Sequence, residues 1–358
     1  MNKNEALVQL TKLALVGRRQ DIQMYVRRMA RNKDFADIKD RLNELIHAMP
    51  SYDTPVRSGS FNAVPVDLDS RIQLLRHEPV VDFETEPVWS ADIERNLTRI
   101  IDERTKLKEL EAAGLQPTKT ALFVGPPGVG KTLAAKWLSV QLKKPLFILD
   151  LSAVMSSYLG RTGTNLRLVL DYAKSIDCII LLDEIDAIAK KRDDFGEVGE
   201  LKRLVTVLLQ EIDDWPSNNL MLAATNHPNL LDPALWRRFD HIIDFPLPGI
   251  NEIHEAILRG FEPKRDGMAK MIRALSIVMV GSSFSDVGKL VMRLKRASVL
   301  DGYDVEDLIE YEISERVSNL SRDERRKVSV ELLDSGLSQR KISLILGMGR
   351  DTIRKAGI

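Results

Sequence analysis

Apolar residues recur at three- and four-residue steps over residues 7–46, where Ile22, Val26 and Met29 and then Ile38, Leu42 and Leu45 share a face. This spacing predicts short amphipathic helices, and a small N-terminal helical domain is expected over residues 1–49. Between Pro50 and Trp89 the period is lost. Pro50, Pro55, Pro65, Pro79 and Pro87, with the run Ser58-Gly59-Ser60, predict an extended linker over residues 50–88. From Ser90 onward helical periods alternate with brief apolar runs at residues 121–124, 146–149, 178–182, 220–224 and 241–245. Such alternation predicts an α/β domain over residues 89–248, a parallel five-stranded sheet covered by helices on both faces. Pro246-Leu247-Pro248-Gly249 stops the alternation. The remainder is helical in period, which predicts a helical lid over residues 249–319 and a further helical segment over residues 320–358.

Composition narrows the picture only a little. At 358 residues the chain exceeds one ordinary core. Lys plus Arg and Asp plus Glu each total 52, so no whole-molecule field draws the protein toward nucleic acid or lipid, and any basic surface is local. Cys178 is the single cysteine and lies in an apolar run, which predicts a buried, inert thiol and excludes an internal disulfide. His47, His77, His227, His241 and His254 lack the paired spacing of a zinc site. No apolar run approaches the roughly 18 residues that span a bilayer, so no membrane partner and a cytoplasmic location are expected.

The chemistry is concentrated at the strand ends. Gly125, Pro126, Pro127, Gly128, Val129, Gly130, Lys131 and Thr132 lie between the first strand and a helix that begins near Leu133, the setting of a phosphate-binding loop. There the glycines let backbone N–H groups turn toward phosphate oxygens, the helix N-terminus adds partial positive charge, Lys131 reaches the terminal phosphates and Thr132 ligates magnesium. Ile179-Ile180-Leu181-Leu182-Asp183-Glu184 is a strand ending in two carboxylates. Asp183 suits a magnesium ligand and Glu184 a base that polarises the attacking water, although both Glu184 and Asp186 also suit the dipole of a following helix.

Taken with Ala223-Ala224-Thr225-Asn226 and the run Leu231 to Asp240, these motifs resemble those of the AAA+ ATPases, and within them the AAA clade proper. The resemblance covers residues 121–248. It implies a P-loop AAA+ fold with a helical lid, ATP and magnesium as ligands, and a homo-oligomer, typically a hexamer. It also implies that Asn226 orients the water with Glu184 and that Arg238 is an arginine finger reaching a neighbouring subunit's nucleotide. Arg237 stands beside it and His241 takes the place of a second arginine, so the choice between Arg237 and Arg238 stays open. Tyr158, Leu159 and Gly160 resemble a pore loop that grips an extended polypeptide, with a core tyrosine as the alternative reading of Tyr158. Residues 190–199 suit a second pore loop or any exposed loop. Gly281 and Ser285 fall in a segment resembling the lid motif that approaches the adenine and ribose. Protein remodelling is the function implied; bacterial ATPases resembling this one are also found paired with a subtilisin-like serine protease.

One further motif lies outside that resemblance. In residues 338–358 a small residue at Ser343, a glycine at Gly347 and an apolar residue at Ile353 follow helix-turn-helix spacing. Arg340, Lys341, Arg350, Arg354 and Lys355 against Asp351 give this segment a net charge of +4. It suits DNA, and equally a purely protein-binding helical domain.

Overall fold

The structure is a computed structural model that describes residue 29 and residues 75–78, 83, 86–151, 162–189, 198–261 and 268–356. The chain divides into two units, Met1–Asn62 and Ala63–Ile358, and all elements described below belong to the second. The expected N-terminal helical domain, most of the linker, the pore-loop residues Tyr158, Leu159 and Gly160, and residues 190–197 lie outside the described residues.

In chain order the elements are β1 (Arg76–Glu78), α1 (Ala91–Thr105), α2 (Leu107–Ala112), β2 (Thr120–Val124), α3 (Lys131–Leu142), β3 (Leu146–Asp150), α4 (Thr162–Lys174), β4 (Ile179–Asp183), α5 (Asp186–Ala189), α6 (Val198–Asp213), β5 (Leu220–Thr225), α7 (Pro233–Trp236) and β6 (His241–Asp244). The helices α8 (Ile250–Gly260), α9 (Ala269–Val278), α10 (Phe284–Asp301), α11 (Val305–Arg316), α12 (Arg322–Asp334), α13 (Gln339–Leu346) and α14 (Arg350–Ala356) follow. The sheet runs β1-β3-β4-β5-β2-β6. Strands β2 to β6 are those expected from the apolar runs, and the four pairings among them are all parallel. The expectation of five strands is corrected to six: Arg76–Glu78, inside the predicted linker, pairs antiparallel with Leu146–Ile148 of β3. Arg-His-Glu has no apolar alternation, so its strand character comes from the open edge of β3 rather than from its own residues. Glu78 is then tied to the α/β body by Lys136 at 3.0 Å.

Two cores flank the sheet because strand side chains alternate. Ala121 and Phe123 pack with Leu97, Leu138 and Phe245 beneath α1 and α3. Leu122 and Val124 pack with Leu166, Leu170 and Leu208 beneath α4 and α6. Cys178 is fully buried on this second side; its thiol donates to the carbonyl of Ala173 at 3.3 Å, and burial pushes its pKa up to about 12. Native protein at pH 8 should therefore resist iodoacetamide and incorporate one label per chain only after denaturation, as mass spectrometry would report. A third core joins α8 to α14, with Ile253, Leu275, Leu290, Ile313, Leu332, Ile342 and Ile353 in one cluster. The three C-terminal helices thus share one interior with α8 to α11.

Candidate nucleotide site

β2 is buried along its length and delivers Gly125 to the C-terminal edge of the sheet. Gly130, in the left-handed region at φ 103°, is the N-cap of α3 and provides no side-chain cap, so the first N–H groups of that helix are left for another acceptor. Lys131 opens the helix and is buried. Its ammonium donates to the carbonyls of Gly125 at 2.7 Å and Pro126 at 2.9 Å and to Oδ1 of Asn226 at 2.8 Å. Burial pulls its pKa below the ordinary lysine value, while the nearby charges of Asp183 and Asp186 act in the opposite direction. A buried cation whose hydrogen bonds all go to neutral oxygens fits an anion such as a terminal phosphate. Pro126, Pro127 and Gly128 are exposed around the loop, Val129 is buried beneath it, and Leu133 is exposed on the first turn of α3.

Opposite this loop β4 ends in Asp183. The Thr132 hydroxyl donates to Oδ2 of Asp183 at 3.3 Å, so the two expected magnesium ligands are adjacent. Among the described residues no cluster of three or more His, Cys, Asp or Glu could hold a metal. A hydroxyl and a single carboxylate are hard oxygen donors of the kind that would hold magnesium alongside a phosphate ligand, and the donor set fits that ion. Glu184 is exposed and has φ 55°, a backbone conformation uncommon for a residue with a side chain, and its N–H donates to Oδ1 of Asp183 at 3.0 Å. A left-handed residue directly after a strand is a strained placement of the kind found at functional sites.

Asp186 has a role that sequence reasoning missed, since an acid at a helix start already suits the dipole. It is buried and accepts from the Thr225 hydroxyl at 3.0 Å and from the Asn226 N–H at 3.4 Å. The end of β5 is thereby fixed, and Asn226 holds Lys131 in turn. An acid inside the otherwise apolar stretch Ile185 to Ile188 was the available signal. Trp89 was missed as well. Its indole edge would lie 3.1 Å from a Cβ on Gly130, and it packs edge-on against Trp137 and Phe245, each with ring centroids 6.4 Å apart. Trp89, just after the predicted linker, therefore packs against Gly130 of the glycine-rich loop.

The start of α10 meets the same loop at Gly128. The N–H of Ser285 donates to the carbonyl of Gly128 at 3.1 Å. Gly128 has φ 78°, and a Cβ there would stand 2.7 Å from Oγ of Ser283 and 2.9 Å from Cβ of Ser285, so only glycine fits both the turn and the contact. Ser283 caps α10 reciprocally with Asp286, whose carboxyl pKa is lowered by the hydroxyl of Ser283. Gly281, at φ 88°, precedes this cap. Of the two lid residues expected near the ligand, Ser285 is thus held against the phosphate loop itself.

Arg238 lies elsewhere. It precedes β6, and its carbonyl accepts from the Thr120 hydroxyl at 3.5 Å, at the start of β2. Because β2 and β6 run parallel with Ala121 opposite His241, Arg238 sits at the N-terminal end of strands whose C-terminal end carries the phosphate loop. At about 3.3 Å per residue, on the order of 15 Å of strand separates the two. Arg238 is exposed and forms an ion pair with Asp213. Arg237 is exposed too and has no ion-pair partner among the described residues. Nε2 of His241 is 3.2 Å from Oδ1 of Asn96.

A parallel sheet with a phosphate loop after one strand, an Asp-Glu pair after a second and a polar residue after the strand between them defines a P-loop nucleotide-binding domain. Residues 121–247 match the family described as "ATPase family associated with various cellular activities (AAA)". The chain thus carries an AAA ATPase family domain. It is similar to an AAA family ATPase of Sinorhizobium fredii, 35% identical over 221 residues that make up 60% of this chain and 64% of that protein. It is also similar to the proteasome-activating nucleotidase of Methanocella arvoryzae, 32% identical over 64% of this chain and 57% of the relative. With the peroxisomal ATPase PEX6 of Eremothecium gossypii identity is 36% over 46% of this chain and 17% of the relative. The chain spans less than two thirds of the length of each of these relatives. Among the described residues no helix is long and apolar enough to cross a membrane.

Proposed function

We propose that this chain is a ring-forming ATPase, in the family's usual form a homohexamer, that spends ATP hydrolysis on remodelling or threading a protein partner. The observation that carries the reading is the position of Arg238 at the far end of the sheet from its own phosphate loop. From there a finger reaches a nucleotide only on an adjoining copy.

In this reading the loop from Gly125 to Thr132 binds the phosphates, and Lys131 turns its ammonium from backbone carbonyls to phosphate oxygen. Magnesium, held by Thr132 and Asp183 together with phosphate, would supply charge neutralisation. Glu184 takes the proton of the attacking water, and Asn226, fixed by Asp186, orients that water. Arg238 of the next copy offsets the charge that develops on the γ-phosphoryl group. The lid, bonded through Ser285 to Gly128, and the linker, packed through Trp89 on Gly130, would both feel the loop move. Tyr158 is the residue proposed to grip the polypeptide. A protein-directed role gains support from a relative named for activating a proteasome. The ATPase rate per chain should rise with protein concentration in step with ring formation seen by sedimentation. A rate per chain that stays constant on dilution to monomers would sink the ring.

A further inference from the structure

The nucleotide site leaves α12, α13 and α14 unused. These three helices pack against one another, and their apolar residues Val328, Leu332, Ile342, Leu346 and Ile353 are fully buried in the lid core. Ser338 caps α13 by accepting from the Lys341 N–H at 3.3 Å. Gly347 ends α13 in the left-handed region at φ 60°, and the Ser343 hydroxyl donates to the carbonyl of Met348 at 2.7 Å, closing the turn before α14 begins at Arg350. This is the build of a helix-turn-helix, held rigid by a core that extends well beyond it.

Rigidity fixes which side chains face out. With Ile353 buried, Arg350, Asp351, Thr352, Arg354 and Lys355 of α14 are exposed, as are Gly349 in the turn and Arg340 at the start of α13. The outward side chains of α14 are thus all polar, and the one large apolar side chain exposed on α13 and α14 is Leu344 of α13. The five cations of the segment also separate into two kinds. Lys341 is held by Glu310 at 2.6 Å and Asp307 at 3.8 Å on α11, which makes it a strut between helices. Arg340 and Arg350 have no ion-pair partner among the described residues, and Arg354 has only an exposed contact with Asp351 at 3.6 Å. Four outward cations against one acid lie on a helix-turn-helix, in a protein whose total charge is zero.

We propose that α13, the turn and α14 form a binding face for duplex DNA, with the start of α14 presented to the major groove and Arg340, Arg350, Arg354 and Lys355 contacting phosphates or base edges. The face shares no residue with the nucleotide site, so its failure would leave the ATPase reading intact.

The test is fluorescence anisotropy of a labelled mixed-sequence duplex of about 30 base pairs titrated with the full chain between about 50 and 200 mM salt. Saturable binding that weakens linearly in log salt is expected. The triple variant Arg350→Ala, Arg354→Ala, Lys355→Ala should lose at least about tenfold in affinity, and its salt slope should fall by about 2 to 3. Its ATPase rate and circular dichroism should match those of the unchanged protein. Arg350→Glu alone should weaken binding in the same direction, whereas Lys341→Ala should keep the slope and lower the melting temperature. Absence of duplex binding at the lowest salt would overturn the proposal. So would superimposable curves for the triple variant and the unchanged protein, or equal affinity for a single strand of the same length.

Discussion

Glu184→Gln is expected to retain ATP and to lose hydrolysis by about 10² to 10⁴. Binding rests on groups that the substitution leaves alone: the loop backbone, the buried ammonium of Lys131 and the Thr132–Asp183 pair. Glutamine has the same shape and sits in the same left-handed backbone, so neither the turn after β4 nor the N–H bond to Asp183 need change. What disappears is the group that accepts a proton from water. Titration with a fluorescent ATP analogue and measurement of phosphate release separate the two effects. Full turnover in the variant would remove Glu184 as the base, and loss of binding would make its carboxylate part of the cradle instead.

The parts of this site that were legible in the sequence are those carried by short contiguous runs. Four of the five parallel strands announce themselves as apolar runs because β2 to β5 are buried almost throughout, and the glycine-rich loop is local by construction. β1 was illegible for the opposite reason, since three polar residues become a strand only when β3 offers an unpaired edge. Asp186 and Trp89 belong to the same class. The first acquires its role from Thr225 and Asn226 on the next strand, and the second from a loop some forty positions later in the chain.

Charge behaved likewise. A net +4 over residues 338–358 can be counted in the sequence, but the partners of Lys341 lie on α11, and only folding shows that this lysine is already committed. Similarly, the pairing of Arg238 with Asp213 joins the loop before β6 to the end of α6, a contact no local pattern contains.

That pairing shapes the second large effect, expected when two defective proteins are mixed. Arg238→Ala chains keep their own loop, Glu184 and Asn226 but bring no finger to a neighbour, and a finger is worth about 10³ to 10⁵ in rate. Glu184→Gln chains bring a finger but cannot use one. Each protein alone should be nearly inactive, while a random equal mixture should regain activity at about a quarter of its sites, where an Arg238→Ala chain adjoins a Glu184→Gln donor. The exposed ion pair with Asp213 contributes at most about 1 kcal/mol, so giving it up for a phosphate costs little against the transition-state gain. Steady-state phosphate release across mixing ratios reads the outcome. No recovery at any ratio would place the finger in the same chain, contrary to the parallel register of β2 and β6. Recovery with Arg237→Ala in place of Arg238→Ala, together with an active Arg238→Ala protein, would move the role to the unpaired arginine one position earlier.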